Sequence, residues 1–297
     1  MTETERIERQ HQEDLQRIRG FRLLDDDFMT KCFDGDPQYI EFVLRIVLEK
    51  PDLKVVDVRT QVFVENLLER SVRLDVVATD SEGRVMNVEI QRRDKGAGRR
   101  RARYNSSMMD AGLLQKSSDF NELPATYVIF ITEHDVVGRG LPLYQIDRCF
   151  LDTGEPFGDG SHIIYVNGAY RDESPIGWLM HDFACTDPNE MHYEELASRV
   201  RYYKESKEGV LIMCKAMEDM REESRQEGIK QGIEQGIKQG IKQGMEQGLE
   251  QGLVNGFLHS IESLVKSMGV SIERAMVILD VPEADRPKYR ELLDPGC

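Results

Sequence analysis

The chain has 297 residues, 40% of them hydrophobic and 31% charged, with a formal net charge of -15. That length supports one substantial core with appendages, and the acidic balance excludes a protein that coats nucleic acid over its whole surface while leaving room for one basic face. No apolar run approaches the roughly 20 residues that cross a bilayer, and five scattered cysteines without C-x-x-C spacing point to reduced thiols in a cytoplasm rather than a disulfide frame or zinc site.

The first 26 residues are polar with a helical period, lack the apolar stretch of a signal peptide, and lead into the acidic run Asp25-Asp26-Asp27. Residues 36–50, "DPQYIEFVLRIVLEK", place Ile40, Val43, Leu44, Ile46 and Val47 on one broad apolar face and predict a helix. Strands are expected over 54–64, 72–78 and 85–90, a helix over 99–114, and further strands over 127–132 and 163–166. Helix, three-strand meander, helix, strand is an α/β plan with a mixed sheet flanked by helices, not a bundle or a sandwich. From about residue 189 the pattern turns helical again. The expected organisation is an N-terminal helical segment (1–26), a globular core (27–187), a helical segment (188–227), a glycine repeat (228–256) and a small helical tail (257–297).

In the repeat, "GIKQGIEQGIKQGIKQGMEQGLEQGL", Gly228, Gly232, Gly236, Gly240, Gly244, Gly248 and Gly252 are each followed by Ile, Met or Leu. A spacing of four makes both stripes precess around a helix, and each interior Gly costs roughly 1 kcal/mol of helix propensity. Two readings stand: a flexible spacer, or a helix that joins copies of the chain by close backbone approach. In the tail, "MGVSIERAMVILDVP" has a helix-turn-helix flavour, but it carries too few basic residues for a DNA-reading helix.

The chemistry concentrates in "VRLDVVATDSEGRVMNVEIQRR", residues 72–93. Two short strands flank a turn at Asp80-Ser81-Glu82-Gly83, and carboxylates interrupt them at Asp75 and Glu89. Burying carboxylates in a strand pair is costly without a partner such as a cation. Side chains alternate along a strand, so Glu89 shares a face with Gln91, and the hairpin brings Asp75 near them. Two carboxylates and an amide make an oxygen-rich site suited to Mg²⁺, with Mn²⁺ as a possible substitute. Immediately downstream, Arg92, Arg93, Lys95, Arg99, Arg100, Arg101 and Arg103 face one acid, Asp94, which in so acidic a chain reads as a phosphate-binding footprint. Arg100 and Tyr104, four apart, share a helix face.

The order D-x(13)-E-x-Q, the Arg/Tyr helix after it and "ELPATYVIFITEHD" resemble the PD-(D/E)XK nuclease family transposases, also called Rpn-type recombination-promoting nucleases. "LDDDFM", "GSHIIYVNGAY", "IGWLMHDF", "LASRVRYYKESKEGVLIMCKAME" and the glycine tail are similar to one branch of that family. The resemblance implies a restriction-endonuclease-like mixed sheet followed by a helical C-terminal extension. It implies a metal-dependent DNA endonuclease associated with recombination or mobile elements, with Asp75 and Glu89 as metal ligands. Gln91 stands where the wider superfamily has lysine; an amide can orient a water but supplies no positive charge. A further acidic ligand from a helix before the sheet would be Asp27, with Glu65 as second choice. The reading from another class is a catalytically weak DNA-binding or oligomeric scaffold protein.

Other candidates are weaker. His181-Asp182 is adjacent in sequence and reads as structural. Ser106-Ser107 lacks a G-x-S-x-G frame, and no G-K-[ST] follows any glycine run.

Overall fold

The computed structural model describes residues 3–65, 71–92, 94–114 and 117–293, with the side chains of residues 3, 4, 7, 94 and 95 left aside. The chain divides into two compact units, Met1–Glu218 and Asp219–Cys297.

The first unit opens with helices α1 (Glu3–Gly20), α2 (Asp26–Phe33) and α3 (Pro37–Val47). The acidic run at 25–27 starts α2: Asp25 is its N-cap residue, and Asp26 and Asp27 occupy the first turn, where carboxylates complement the helix dipole. Helix α3 begins where the Asp36 side chain accepts the Gln38 N–H and Pro37 supplies a preset φ. It stops short of the expected residue 50 because Glu49 adopts φ 53° ahead of Pro51.

Six strands follow: β1 (Val55–Val64), β2 (Val72–Asp80), β3 (Val85–Gln91), β4 (Thr126–Thr132), β5 (Leu143–Ile146) and β6 (Ser161–Asn167). Their order in the sheet is β1-β2-β3-β4-β6-β5. The meander β1-β2-β3 is antiparallel, β3-β4-β6 is parallel, and β5 closes one edge antiparallel to β6. Helix α4 (Arg99–Leu113) makes the crossover that a parallel β3–β4 pair requires. One face of the sheet buries Val77, Val85, Val128, Phe130 and Tyr165 against Ala102 and Met109 of α4. Alternation turns Val76, Met86, Val88, Ile129 and Ile131 to the opposite face, where they are equally buried. Helix α3 packs on β1 and on α5 (Pro175–Ala184), and α2 packs on β1 and β2. The sheet is therefore mixed and flanked by helices, as the sequence pattern predicts.

Helix α6 (Glu194–Glu205) ties this unit together through Lys204. The Lys204 ammonium donates to the carbonyls of Arg19, Phe21 and Thr186, at 3.1, 2.5 and 2.5 Å, and so joins the end of α1 to the segment after α5. Desolvation holds its pKa below the usual lysine range.

Helix α7 runs 62 residues from Lys207 to Met268, and the whole glycine repeat lies within it. In the second unit its later turns pack with α8 (Ile272–Ile278) and α9 (Arg286–Leu293) around Ile261, Ala275, Met276, Val281 and Tyr289. Among the described residues, no helix is long and apolar enough to cross a membrane.

Candidate metal centre and nucleic-acid cleft

The antiparallel ladder between β2 and β3 has a defined end. Val76 pairs with Val88 and Val77 with Asn87, and pairing extends no further toward Asp75. Beyond that point the side chains take over the backbone bonds: Asp75 Oδ2 accepts the Ile90 N–H at 3.2 Å, and Glu89 Oε1 accepts the Asp75 N–H at 3.4 Å. The two strands thus fork, and each arm of the fork is held by a carboxylate from the other. Alternation puts Asn87, Glu89 and Gln91 on the face that α4 covers, and Asp75 meets them across the fork.

Polar contacts from two directions hold Glu89, which is fully buried. Asn87 Nδ2 donates to its Oε1 at 3.1 Å, and Arg101 Nη2, from the first turn of α4, donates to its Oε2 at 2.8 Å. The other arm of the same guanidinium reaches the Gly96 carbonyl at 3.2 Å and Gln91 Oε1 at 3.4 Å. Burial, then the Glu89 and Asp26 carboxylates, push the Asp75 carboxyl up to about 8. Burial also raises Glu89, against its bonds from Asn87 and Arg101. Asp26 is raised first by desolvation and then by Asp27 beside it. Three carboxylates sensing one another in this way mark a place short of positive charge.

The fork opens into a cleft of about 1170 Å³. Asp26, Asp75 and Gln91 line it together with Arg73, Arg100, Arg101 and Arg103, and Tyr104 and Ser107 extend the α4 wall. An acidic floor beneath a basic rim suits a phosphodiester that approaches together with a cation. The donor set is oxygen-only, and the buried Asn87 Oδ1 beside Glu89 has no hydrogen-bond partner. These residues fit a hard divalent cation, with Arg101 as the internal counter-ion of Glu89.

The sequence-predicted residues divide into those gathered here and those placed elsewhere. Asp75, Glu89, Gln91, Arg100, Arg101, Arg103 and Tyr104 come together at the fork and its cleft. Asp27 does not line the cleft; Asp26 does, because successive helix residues point about 100° apart and α2 turns Asp26 toward the cleft. Glu65 lies just past β1 and is exposed. Arg92 is committed to a charge network at the start of α2, with Asp25 at 2.8 Å and Glu133 at 3.5 Å, and Arg22 bonds the same Glu133 at 2.9 Å. Arg99 is exposed outside the cleft lining, while Arg93 and the Lys95 side chain lie outside the described residues. Ser106 is buried and bonds Ser161 at 2.9 Å, a packing role. Sequence reasoning missed Asp26 and Arg73; the R-x-D spacing of Arg73 and Asp75 on one strand face was the available signal for the second.

Residues 39–167 match the family model described as PD-(D/E)XK nuclease family transposase, a span that takes in β1 through β6 and α4 with Asp75, Glu89, Gln91 and the arginines. No curated protein and no solved structure gives a match to the chain. The forked β2–β3 pair carrying D-x(13)-E-x-Q lies inside that span, so over residues 39–167 the chain is similar to the PD-(D/E)XK nuclease family transposases.

Proposed function

We propose that this chain is a divalent-metal-dependent DNA endonuclease that acts in recombination or on mobile elements, by hydrolysis of phosphodiester bonds. The observation that carries the reading is the pair of buried carboxylates, Asp75 and Glu89, holding a strand fork directly under the Arg73/Arg100/Arg103 rim. In this reading Asp75 and Glu89 hold the cation, with Asp26 close enough to add its charge. Mg²⁺, with Mn²⁺ as substitute, would supply acidity to a water and offset charge on the phosphodiester. Arg73, Arg100 and Arg103 hold the DNA backbone by its phosphates, and Tyr104 packs beside them. Gln91 orients the attacking water through its amide, and Arg101, at the edge of the same cleft, supplies the positive charge that the superfamily's lysine would bring. Among the described residues, Cys32, Cys149, Cys185 and Cys214 are free thiols, which suits a reducing cytoplasm.

A second reading rests on a specific ion pair. Arg101 already neutralises Glu89, and Gln91 brings no charge, an arrangement that also suits a catalytically weak DNA-binding protein or oligomeric scaffold. In either case we propose self-association through α7, whose Ile229, Ile237 and Leu249 are exposed beside glycines with open space around them. Incubation of the full-length protein with supercoiled plasmid, with and without Mg²⁺ or Mn²⁺, separates the two. Metal-dependent nicking or linearisation that Asp75→Ala removes supports the endonuclease. Binding without cutting under both metals selects the scaffold.

A further inference from the structure

A second cluster of metal-ligating side chains lies where α5 connects to α6, and none of its residues lines the Asp75 cleft. The last turn of α5 delivers His181 and Asp182, and His192 sits in the segment before α6. Asp182 is fully buried, and its two oxygens accept the N–H groups of His192, at 2.7 Å, and Tyr193, at 2.8 Å. Those bonds fold the connection back on α5 and bring the His192 ring edge-on to His181, with centroids 4.6 Å apart. Trp178, one turn earlier on α5, stacks on His192 at 5.8 Å and fixes the ring's plane. One ligand atom from each of His181, Asp182 and His192 lies within 4.8 Å of the other two.

We propose that His181, Asp182 and His192 form a metal site of their own, selective for a borderline cation of the Zn²⁺ type and distinct from the hard-cation site at Asp75. Two imidazole nitrogens with one carboxylate oxygen are the donor set of zinc, not of magnesium, which takes oxygen. The His181 Nδ1–Asp182 Oδ1 distance is 3.2 Å. Ligand atoms around tetrahedral zinc, at bond lengths of about 2.0–2.1 Å, stand about 3.3 Å apart, so two ligands are already at working separation. His192 is exposed, and its ligand atom already lies within 4.8 Å of those of His181 and Asp182. Each Asp182 oxygen keeps a lone pair beyond its backbone bond, and those bonds preset the carboxylate as outer-shell contacts do at metal sites. A fully buried carboxylate met by neutral amides gains from a cation brought to it. Cys185, one turn further along, donates instead to the Asp187 carbonyl at 3.1 Å, which leaves the fourth position to water. The bound ion would staple the α5–α6 connection to α5.

The test uses the full chain, with Co²⁺ as a visible-absorbing probe and Zn²⁺ measured by dialysis and elemental analysis. The expected result is one tightly held Zn²⁺ per chain and a tetrahedral Co²⁺ spectrum that Zn²⁺ displaces. His192→Ala, a surface change that leaves the fold intact, lowers the affinity about tenfold or more, and His181→Ala does the same. The double variant Asp75→Asn/Glu89→Gln keeps the Zn²⁺ and the spectrum. Wild-type chain that takes up no Zn²⁺ overturns the proposal and leaves His181 with a simple hydrogen bond to Asp182. Uptake unchanged in the His181→Ala/His192→Ala double variant overturns it equally, by placing the ion elsewhere.

Discussion

Arg101 Nη2 donates to Glu89 Oε2 at 2.8 Å, joining a guanidinium that is 41% exposed to a carboxylate that is fully buried. The inequality decides which partner depends on the other, because a buried acceptor stripped of its donor bears the desolvation cost alone. Arg101→Ala should lower the unfolding free energy by about 1–3 kcal/mol in metal-free buffer. Added Mg²⁺ should recover more stability in the variant than in the native chain, since the cation replaces the missing positive charge. Thermal melts of both proteins with and without Mg²⁺ measure this, and equal recovery would mean that the cation does not bind beside Glu89.

The raised Asp75 carboxyl makes stability depend on pH with a definite sign. Its folded pKa, about 8, lies above the ordinary carboxylate range, so its contribution is fully present below about pH 4 and lost as pH rises through 8. Asp75→Asn should flatten the decline over that window and be more stable than the native chain at its alkaline end. Chemical denaturation across the pH series checks it; a native profile that does not fall toward pH 8 would refute the assignment.

Cleavage should fail in Asp75→Ala and in Glu89→Gln, the latter chosen to keep the buried shape. Gln91→Lys should keep or raise activity, by restoring the superfamily's charge at this position. Gly96→Ala tests the amide's placement from another side. A methyl there would come 1.8 Å from Gln91 Oε1, at the far end of a flexible side chain, so the fold can adjust while the amide moves. Plasmid cutting should drop severalfold with an unchanged melting temperature; full activity would show that Gln91 has no positioning role.

How much of the molecule is legible in its sequence varies with the physics of each element. The meander and α4 can be read because long apolar alternation and a charged, amphipathic helix override local ambiguity. Strand β5 cannot: it has four residues, two of them exposed, and it exists because the β6 edge templates it. Helix α5 does carry a local signal, Ser174 as N-cap followed by Pro175, that the apolar pattern alone overlooks. Asp26 rather than Asp27 lines the cleft, a difference of one residue in a helix, and one residue is about 100° of rotation. Only the packing of α2 on β1 and β2 determines which carboxylate turns toward the cleft. Arg92 looks like its neighbours in a basic run, and nothing local foretells that Asp25 and Glu133, distant in sequence from each other, claim it.

DNA affinity should follow the cleft rather than the whole basic run. Replacing Arg73, Arg100 and Arg103 by Ala should weaken binding to all sequences alike and reduce the salt slope by roughly 0.9 for each phosphate no longer neutralised. Arg99→Ala, outside the cleft, should change neither. Fluorescence anisotropy over a salt series supplies both numbers, and a slope unmoved by the triple change would return these arginines to ordinary solvated surface.

Self-association can be tested on the glycine stripe. Around Gly232, Gly236 and Gly240 an added methyl meets nothing, so alanine there should raise helix stability by about 1 kcal/mol per site. If a second copy packs on that stripe, the same methyls hold the helices apart. The triple alanine variant should therefore be smaller in solution by light scattering while its helical signal holds or rises. A native chain already monomeric at micromolar concentration would favour the spacer reading.

The strand fork has one more consequence, for the timing of amide hydrogen exchange. Interior sheet amides usually exchange slowly because they are hydrogen-bonded and exchange only when the structure opens, and their carbonyl acceptors do not change with pH or metal. The amides of Ile90 and Asp75 are tied to the Asp75 and Glu89 carboxylates instead. A proton or a cation arriving at either carboxylate competes with these backbone bonds. Solvent exchange at two backbone positions therefore becomes a readout of whether the site is charged, protonated or filled, with no need for a substrate to report it.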